Sequence, residues 1–196
     1  MIFQDEREDA AISDSSRLGD EEALISSAKD GAEDAWTAIY EANFPPIYRY
    51  VRARVFDDSA ASDIASSVFV AAVSGIRSYS YRGRPVLAWL YRIAHNLVGD
   101  YRRKTLREKR QTDDRPVEHI EARNGHSPDG DPASMIEDLD LRAALQTLPD
   151  TQRDVLILRF FVGLSTPEIA GVMGKQATAV YSLQARAVAS LRSALE

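Results

Sequence analysis

Apolar residues between Leu87 and Tyr101 recur at helical spacing, and this stripe constrains the fold more than any other stretch. The positions follow the i, i+3, i+4 and i+7 pattern and comprise Leu87, Leu90, Tyr91, Ala94, Leu97, Val98 and Tyr101. A helix with one apolar face must pack that face on a core. Nowhere does the sequence convincingly alternate apolar and polar residues over the length of a β-strand, so we predict an all-α fold.

The same stretch reverses the charge of the chain. Residues 77–110 contain ten Lys and Arg and two acidic residues, a local charge of +8 in a chain of net charge −6. A local basic patch attracts an anionic partner even when the whole chain is acidic, although a solvated helical face has the same composition. Tyr79 and Tyr81 lie just before the helix and are flanked by arginines. This arrangement suits the stacking of unpaired bases, and it suits simple packing equally well. Trp89 lies beside the apolar stripe, which favours packing over base stacking.

Residues 111–133 divide the chain. This segment contains three Pro and two Gly and lacks a helical stripe, and residues 111–140 have a net charge of −7. Such composition is typical of an acidic flexible linker. We therefore predict two small helical domains, at 21–110 and 134–196, preceded by an acidic disordered tail at 1–20.

The second domain has the pattern of a helix-turn-helix. Ser165 and Glu168 have the spacing of a capping box, and Pro167 lies in the first turn of the helix. Gly174 ends that short helix. A longer helix follows, with its buried stripe at Val180, Leu183, Ala187 and Leu191. The second helix of such a motif enters the DNA major groove, although any αα-corner in a helical bundle has similar spacing.

Several classes of site are excluded. The chain has no Cys, which rules out disulfides and thiolate metal sites. His95, His119 and His126 lack the spacing of metal ligands, so we expect neither a metal nor a cofactor. No nucleotide-binding or nucleophile motif occurs, and the acidic residues concentrate in segments that cannot hold a preorganised acid and base. We therefore predict that the protein is not an enzyme.

Targeting signals are also missing from the sequence. The N-terminal residues are acidic and have no apolar segment of the kind found in secretory signals. No run of about eighteen apolar residues is present. We expect a cytoplasmic protein that does not insert directly into a membrane.

The segments AWLYRIAHNLVGDYRRK and LPDTQRDVLILRFFVGLSTPEIAGVMG resemble bacterial RNA polymerase sigma factors of the small extracytoplasmic-function (ECF) type. Both motifs occur in the order and separation that are usual in that family. The resemblance covers about residues 22–110 and 134–195. It implies a subunit that binds core RNA polymerase and promoter DNA, with an anti-sigma factor as a regulatory partner.

The resemblance assigns two binding surfaces to the first domain. A helix at 62–75 is implied to dock on core polymerase, and the candidate contacts are Asp63, Ile64, Ser67, Val68, Phe69 and Val70. Ser66 and Ser67 replace a Gln and an acidic residue that are common in the family. The loop and the helix after it are implied to melt and capture the minus-ten element through Tyr79, Tyr81, Arg82, Arg84, Arg92, His95, Asn96, Arg102 and Arg103. Asp100 is expected to pair with an arginine inside the protein.

The second domain is implied to read the minus-thirty-five element as duplex DNA. Its candidate contacts are Arg153, Arg159, Thr178, Tyr181, Ser182, Ala185 and Arg186. Tyr181 stands where a basic residue is common in the family, and Ala179 where Thr is common.

Two other functions compete with this interpretation. One is a stand-alone helix-turn-helix regulator, which would need neither the apolar helix at 62–76 nor the aromatic, basic loop at 78–85. The other is a helical nucleic-acid enzyme, but no catalytic constellation can be assembled for it. The sequence therefore favours a sigma factor.

Overall fold

The computed structural model describes residues 19–81, 85–111 and 139–195. Within these ranges the chain forms helices and no strands, which confirms the all-α prediction. The predicted disordered tail and linker lie outside the described residues except for 19–20 and 111, which are helical. Arg82 and Arg84 also lie outside them.

Four α-helices form the first domain. They are α1 at residues 19–29, α2 at Glu33–Val55, α3 at Asp58–Gly75 and α4 at Val86–Gln111, with a 3-10 turn at Ile76–Ser78 after α3. Asp57 caps the start of α3, because its carboxylate accepts a hydrogen bond of 2.7 Å from the backbone N–H of Ala60. Leu90 and Val98 of α4 are fully buried against α2 and α3. The apolar stripe of the sequence is therefore the core face of α4.

Helix α2 continues through Pro45 and Pro46, although proline is locally favoured in the first turn of a helix and disfavoured in its interior. Each internal proline removes a backbone donor and costs about 3 kcal/mol. The buried face compensates, since Ile39 on one side of the prolines and Ile47 and Val51 on the other all lie in the protein interior. A continuous core contact therefore outweighs the local preference.

The second domain is also helical. Its elements are α5 at Leu139–Thr147, α6 at Asp150–Leu156, a π-helical turn at Ile157–Phe161, α7 at Thr166–Met173 and α8 at Ala177–Leu195. The carboxylate of Glu168 accepts a hydrogen bond of 2.7 Å from the backbone N–H of Ser165, and Gly174 ends α7 in the left-handed conformation with φ of 63°. Both features agree with the helix-turn-helix predicted for α7 and α8.

The two domains pack against each other. Helix α4 contacts α7, and α2 contacts the π-helical turn. The guanidinium groups of Arg142 and Arg153 lie 5.3 and 5.5 Å from the ring centroid of Phe56, which ends α2. Arg142 Nη2 also donates a hydrogen bond of 2.9 Å to the carbonyl oxygen of Phe56. The sequence predicts two linked domains but does not predict this contact between them.

The segment Asp58–Ser78 is long and apolar enough, by length and composition alone, to cross a membrane. Ala61, Ala65, Val68 and Ala72 within it are fully buried in the protein interior. Core helices commonly pass the same test, so this finding is weak evidence for a membrane span.

Candidate nucleic-acid interface

Aromatic packing holds the chain just before α4. The rings of Tyr79 and Trp89 stack with centroids 4.6 Å apart and an angle of 29° between their planes. Burial raises the pKa of the Tyr79 hydroxyl, and the charges of Glu21 and Tyr81 raise it further. Trp89 is thus a packing residue, as its sequence position favours. One face of Tyr79 is already covered, which leaves less of this ring for a base than the sequence predicts.

An exposed polar stripe runs along α4. Arg92, Asn96 and Arg103 lie on it and are exposed to solvent, at the positions where the sequence predicts DNA contacts. Asp100 forms an ion pair with Arg103. This agrees with the prediction that Asp100 pairs with an arginine of the protein. These three residues, Arg92, Asn96 and Arg103, are called the α4 surface below.

Two other predicted DNA contacts on α4 face the second domain instead. Arg102 forms an ion pair with Asp150 of α6. The Nδ1 atom of His95 lies 3.4 Å from a carboxylate oxygen of Asp154. His95 and Arg102 are therefore covered in this arrangement, unlike the α4 surface.

A buried ion pair joins the two domains next to His95 and Arg102. Arg54 Nη1 of α2 lies 2.5 Å from Asp154 Oδ1 of α6, and the two side chains are 2% and 4% exposed. Arg54 also donates a hydrogen bond of 3.2 Å to the hydroxyl of Tyr50. Buried charges require such partners, because removing them from water costs several kcal/mol for each ion.

Burial shifts the pKa values of this cluster in opposite directions. Desolvation raises the pKa of Asp154 to about 6, against the opposing effect of Arg54 and Arg102. Desolvation also lowers the pKa of His95 to about 4, with Arg54 and Lys175 lowering it further. Both shifts disfavour the charged forms of these groups inside the interface.

Arg153 is a structural residue. Its Nε and Nη2 atoms donate hydrogen bonds of 2.6 to 2.9 Å to the carbonyl oxygens of Leu145, Gln146 and Leu148, and the residue is 5% exposed. The phosphate contact predicted for Arg153 does not fit this placement, because these donors satisfy carbonyls at the end of α5. Arg159 is exposed, and its Nη1 donates to the carbonyl oxygen of Leu164 at 3.0 Å.

The outward face of α8 carries the residues that the sequence places there. All five are exposed, namely Thr178, Tyr181, Ser182, Ala185 and Arg186. Val180, Leu183 and Ala187 on the opposite side are buried. The five exposed residues are called the α8 surface below, and they form a continuous polar and aromatic face on the second helix of the motif.

The predicted polymerase-docking residues on α3 divide into two sets. Asp63, Ser67 and Val70 are exposed, and Val70 is 69% exposed. In contrast, Ile64, Val68 and Phe69 are buried. The latter three pack in the core, so direct contact with a partner does not fit their placement. The sequence pattern does not separate the two sets, because α3 is apolar or small at every position except Asp58 and Asp63.

Exposed apolar side chains continue the outward face of α3. Val73 is 52% exposed, and Tyr40 of α2 is 42% exposed and packs edge-on against Phe69 with centroids 4.9 Å apart. Neither residue is among the predicted docking contacts. Val70 and Val73 lie three positions apart on one side of α3. The sequence alone does not identify that side as exposed, because it does not show which side of α3 is buried.

The sequence also misses the residues that join the two domains. Arg54, Arg142 and Asp154 carry the interdomain contacts described above. One signal exists for Asp154, which directly precedes the apolar run Val155–Leu158. A carboxylate beside such a run needs a buried partner, but its identity depends on the packing of the domains.

Two family profiles match the chain. Sigma-70 region 2 matches residues 39–108, and Sigma-70 region 4 matches residues 138–191. The ECF RNA polymerase sigma factor BldN of Streptomyces coelicolor is 34% identical over 185 residues, which cover 94% of this chain and 68% of BldN. The ECF RNA polymerase sigma factor SigD of Mycobacterium tuberculosis is 35% identical over 179 residues, covering 87% of this chain and 82% of SigD.

The chain belongs to the ECF RNA polymerase sigma factors. Its fold is similar to that of CnrH in a complex with the cytosolic domain of CnrY, with a TM-score of 0.67 and 25% identity over 89% of this chain and 96% of that chain. The sigma factor RpoE of Bartonella quintana, in a complex with the anti-sigma factor NepR, has the same fold with a TM-score of 0.67, at 22% identity over 81% of this chain and 95% of that chain. This sigma factor therefore directs RNA polymerase to promoters, and its family consists of transcription regulators.

Proposed function

We propose that this sigma factor contacts a promoter at two separate places. The α4 surface, with Tyr81 before it, holds the melted minus-ten element, and the α8 surface reads the minus-thirty-five element as duplex DNA. The observation that carries the proposal is the exposure of both surfaces on two different matched regions. Arg82 and Arg84, which lie outside the described residues, belong to the first contact by their positions in the sequence.

The chemistry of each surface suits its proposed DNA form. Arg92 and Arg103 supply positive charge for phosphates, and Asn96 supplies both a donor and an acceptor for a base edge. Flipping a base costs a few kcal/mol, and stacking on an aromatic ring returns about 1–3 kcal/mol. On α8, Arg186 and Ser182 lie on the helix that enters the major groove in this motif.

Core polymerase docks on the outward face of α3 in this proposal. Asp63, Ser67 and Val70 supply the contacts, and Val73 and Tyr40 extend the face with exposed apolar area. Protein interfaces use apolar and aromatic side chains at their centre and polar residues at the rim. Ile64, Val68 and Phe69 hold this face in place from within the core.

Regulation by an anti-sigma factor is part of the same proposal. CnrH is seen with the cytosolic domain of CnrY, and an equivalent partner of this chain would compete for the α3 and α4 faces. The protein acts in the cytoplasm without a catalytic site or cofactor of its own. A stand-alone DNA-binding regulator would have no use for the exposed apolar face of α3.

Transcription in vitro tests the proposed function. Core RNA polymerase mixed with this protein is expected to give run-off transcripts with discrete start sites on fragmented genomic DNA of the organism that encodes it. Core polymerase alone is expected to give none of these transcripts. The sigma-factor interpretation fails if the protein neither co-elutes with core polymerase nor produces any discrete start site.

A further inference from the structure

Helix α1 caps the start of α4 although the two are far apart in the sequence. Glu21 Oε1 accepts a hydrogen bond of 2.7 Å from the backbone N–H of Val86, the first residue of α4. The first N–H groups of a helix have no acceptor within the helix. A carboxylate at this end also interacts favourably with the helix dipole.

Apolar contacts of α1 support the same region. Ile25 is buried in a cluster with Ile76 and Val86. Ile76 precedes the aromatic, basic loop and Val86 follows it, so a single residue of α1 contacts both ends. Tyr79, Tyr81 and Trp89 pack around this cluster. Glu21 and Ile25 therefore determine where the chain leaves the loop and enters α4.

We propose that Glu21 is a positioning residue for promoter melting, an inference that rests on the proposed function. Glu21 touches no DNA. It holds the first turn of α4 so that Tyr81 and Arg92 keep a fixed relation to each other when a base is captured. Preorganisation of this kind reduces the entropy lost on binding, so loss of the cap weakens the melting step more than duplex binding by α8.

Three variants test the role of Glu21. Glu21→Ala removes the acceptor, Glu21→Gln keeps an acceptor oxygen, and Glu22→Ala removes the same charge from an exposed neighbour. We expect amide exchange at Val86 to accelerate at least about fivefold in Glu21→Ala only. Permanganate-detected opening at a promoter found by the run-off assay is expected to fall about three- to tenfold in that variant and to recover in Glu21→Gln.

Three results would overturn this role. Unchanged exchange at Val86 in Glu21→Ala disproves the cap, whatever the protein does at promoters. Faster exchange with normal opening disproves the positioning role and leaves the proposed function standing. Equal loss of opening in Glu22→Ala would assign the effect to general charge and likewise reject the proposal.

A different observation concerns the contact between the domains. By their names, the minus-ten and minus-thirty-five elements are centred about 25 base pairs apart, which is about 85 Å at 3.4 Å per base pair. In this structure Arg54 and Asp154 of the two domains are 2.5 Å apart, and α7 residues Glu168 and Val172 line one cleft with Trp89. If the proposed function holds, the domains must separate on a promoter.

The interface covers two further residues that the sequence predicts to contact the minus-ten element. His95 and Arg102 pair with acidic residues of α6, so neither is free to meet DNA. Arg54 Nε is buried and has no hydrogen-bond partner among the described residues, which makes the contact costly to keep. We infer that the packed form is an autoinhibited state, held by the Arg54 and Asp154 ion pair and released when the domains bind a promoter within polymerase.

Charge exchange tests this state in the free protein. The chain has no native Cys, so Ser59→Cys on α3 and Ser193→Cys on α8, both exposed, accept a pair of distance labels cleanly. The labelled protein with native Arg54 and Asp154 is expected to show a short distance between the two labels. Arg54→Asp or Asp154→Arg alone should raise the long-distance population at least about tenfold, and the two together should restore the short distance.

Folding and binding measurements complete the test. Circular dichroism checks that each variant keeps its helices. Affinity for the single strand of the minus-ten element from the run-off promoter should rise in each single variant, because separation of the domains uncovers His95 and Arg102. A free protein that already has the long distance would overturn the autoinhibited state. So would two folded single variants that keep the short distance. Neither result bears on the run-off assay, so the proposed function is tested separately.

Discussion

Leu90→Ala is expected to lower the free energy of unfolding by about 2–5 kcal/mol. Leu90 is fully buried near the start of α4, a helix that packs against α2 and α3. Truncation removes apolar contacts and leaves a cavity that the surrounding helices can only partly close. Denaturant unfolding followed by circular dichroism measures the change.

Leu106→Ala is the matched control for this substitution. It makes the same chemical change on the same helix, but Leu106 is 53% exposed. We expect an effect within about 0.5 kcal/mol. Equal losses for the two variants would mean that α4 does not pack through the face described here.

Tyr81→Ala is expected to reduce open-complex formation about 5- to 140-fold, the equivalent of losing about 1–3 kcal/mol of base stacking. Tyr81 is half-buried at the point where the described chain approaches α4, next to the cluster of Ile76 and Val86. Closed-complex binding should change little, because duplex DNA offers no unpaired base to stack. Permanganate reactivity of the promoter measures opening, and filter binding at low temperature measures the closed complex.

Phe160→Ala controls for removing an aromatic side chain. Phe160 is 63% exposed in the second domain and belongs to neither proposed DNA surface. Phe160→Ala should leave both closed-complex binding and promoter opening unchanged. If Tyr81→Ala weakens binding equally on duplex and on a pre-melted template, Tyr81 does not contribute to base capture. It then acts through contacts to the phosphate backbone of the DNA.

The helix-turn-helix shows how much local chemistry can predict. Ser165, Glu168 and Gly174 are local signals, since a cap and a left-handed turn involve residues only a few positions apart. The stripe of Val180, Leu183 and Ala187 then leaves the α8 surface outward by helical geometry alone. The structure places all of these as the sequence predicts.

Helix α3 shows where such reasoning loses precision. Its sequence is apolar or small on nearly every face, so periodicity does not distinguish Val68, which is buried, from Val70, which is exposed. Which of the predicted polymerase-docking residues are accessible therefore depends on which side of α3 packs against α2 and α4. Arg153 illustrates the same limit, because a basic residue near a DNA-binding motif can satisfy helix carbonyls instead of phosphates.

By itself the sequence determined the all-α class, the two domains, the core face of α4 and the outward face of α8, because these follow from short-range periodicity and capping. Only the tertiary structure decided that Glu21 caps α4 from 65 residues away and that Arg54 and Asp154 form a buried pair between domains. These contacts join segments with no sequence relation to each other. Their partners are chosen by the packing of whole helices and by the cost of leaving a buried polar group unpaired.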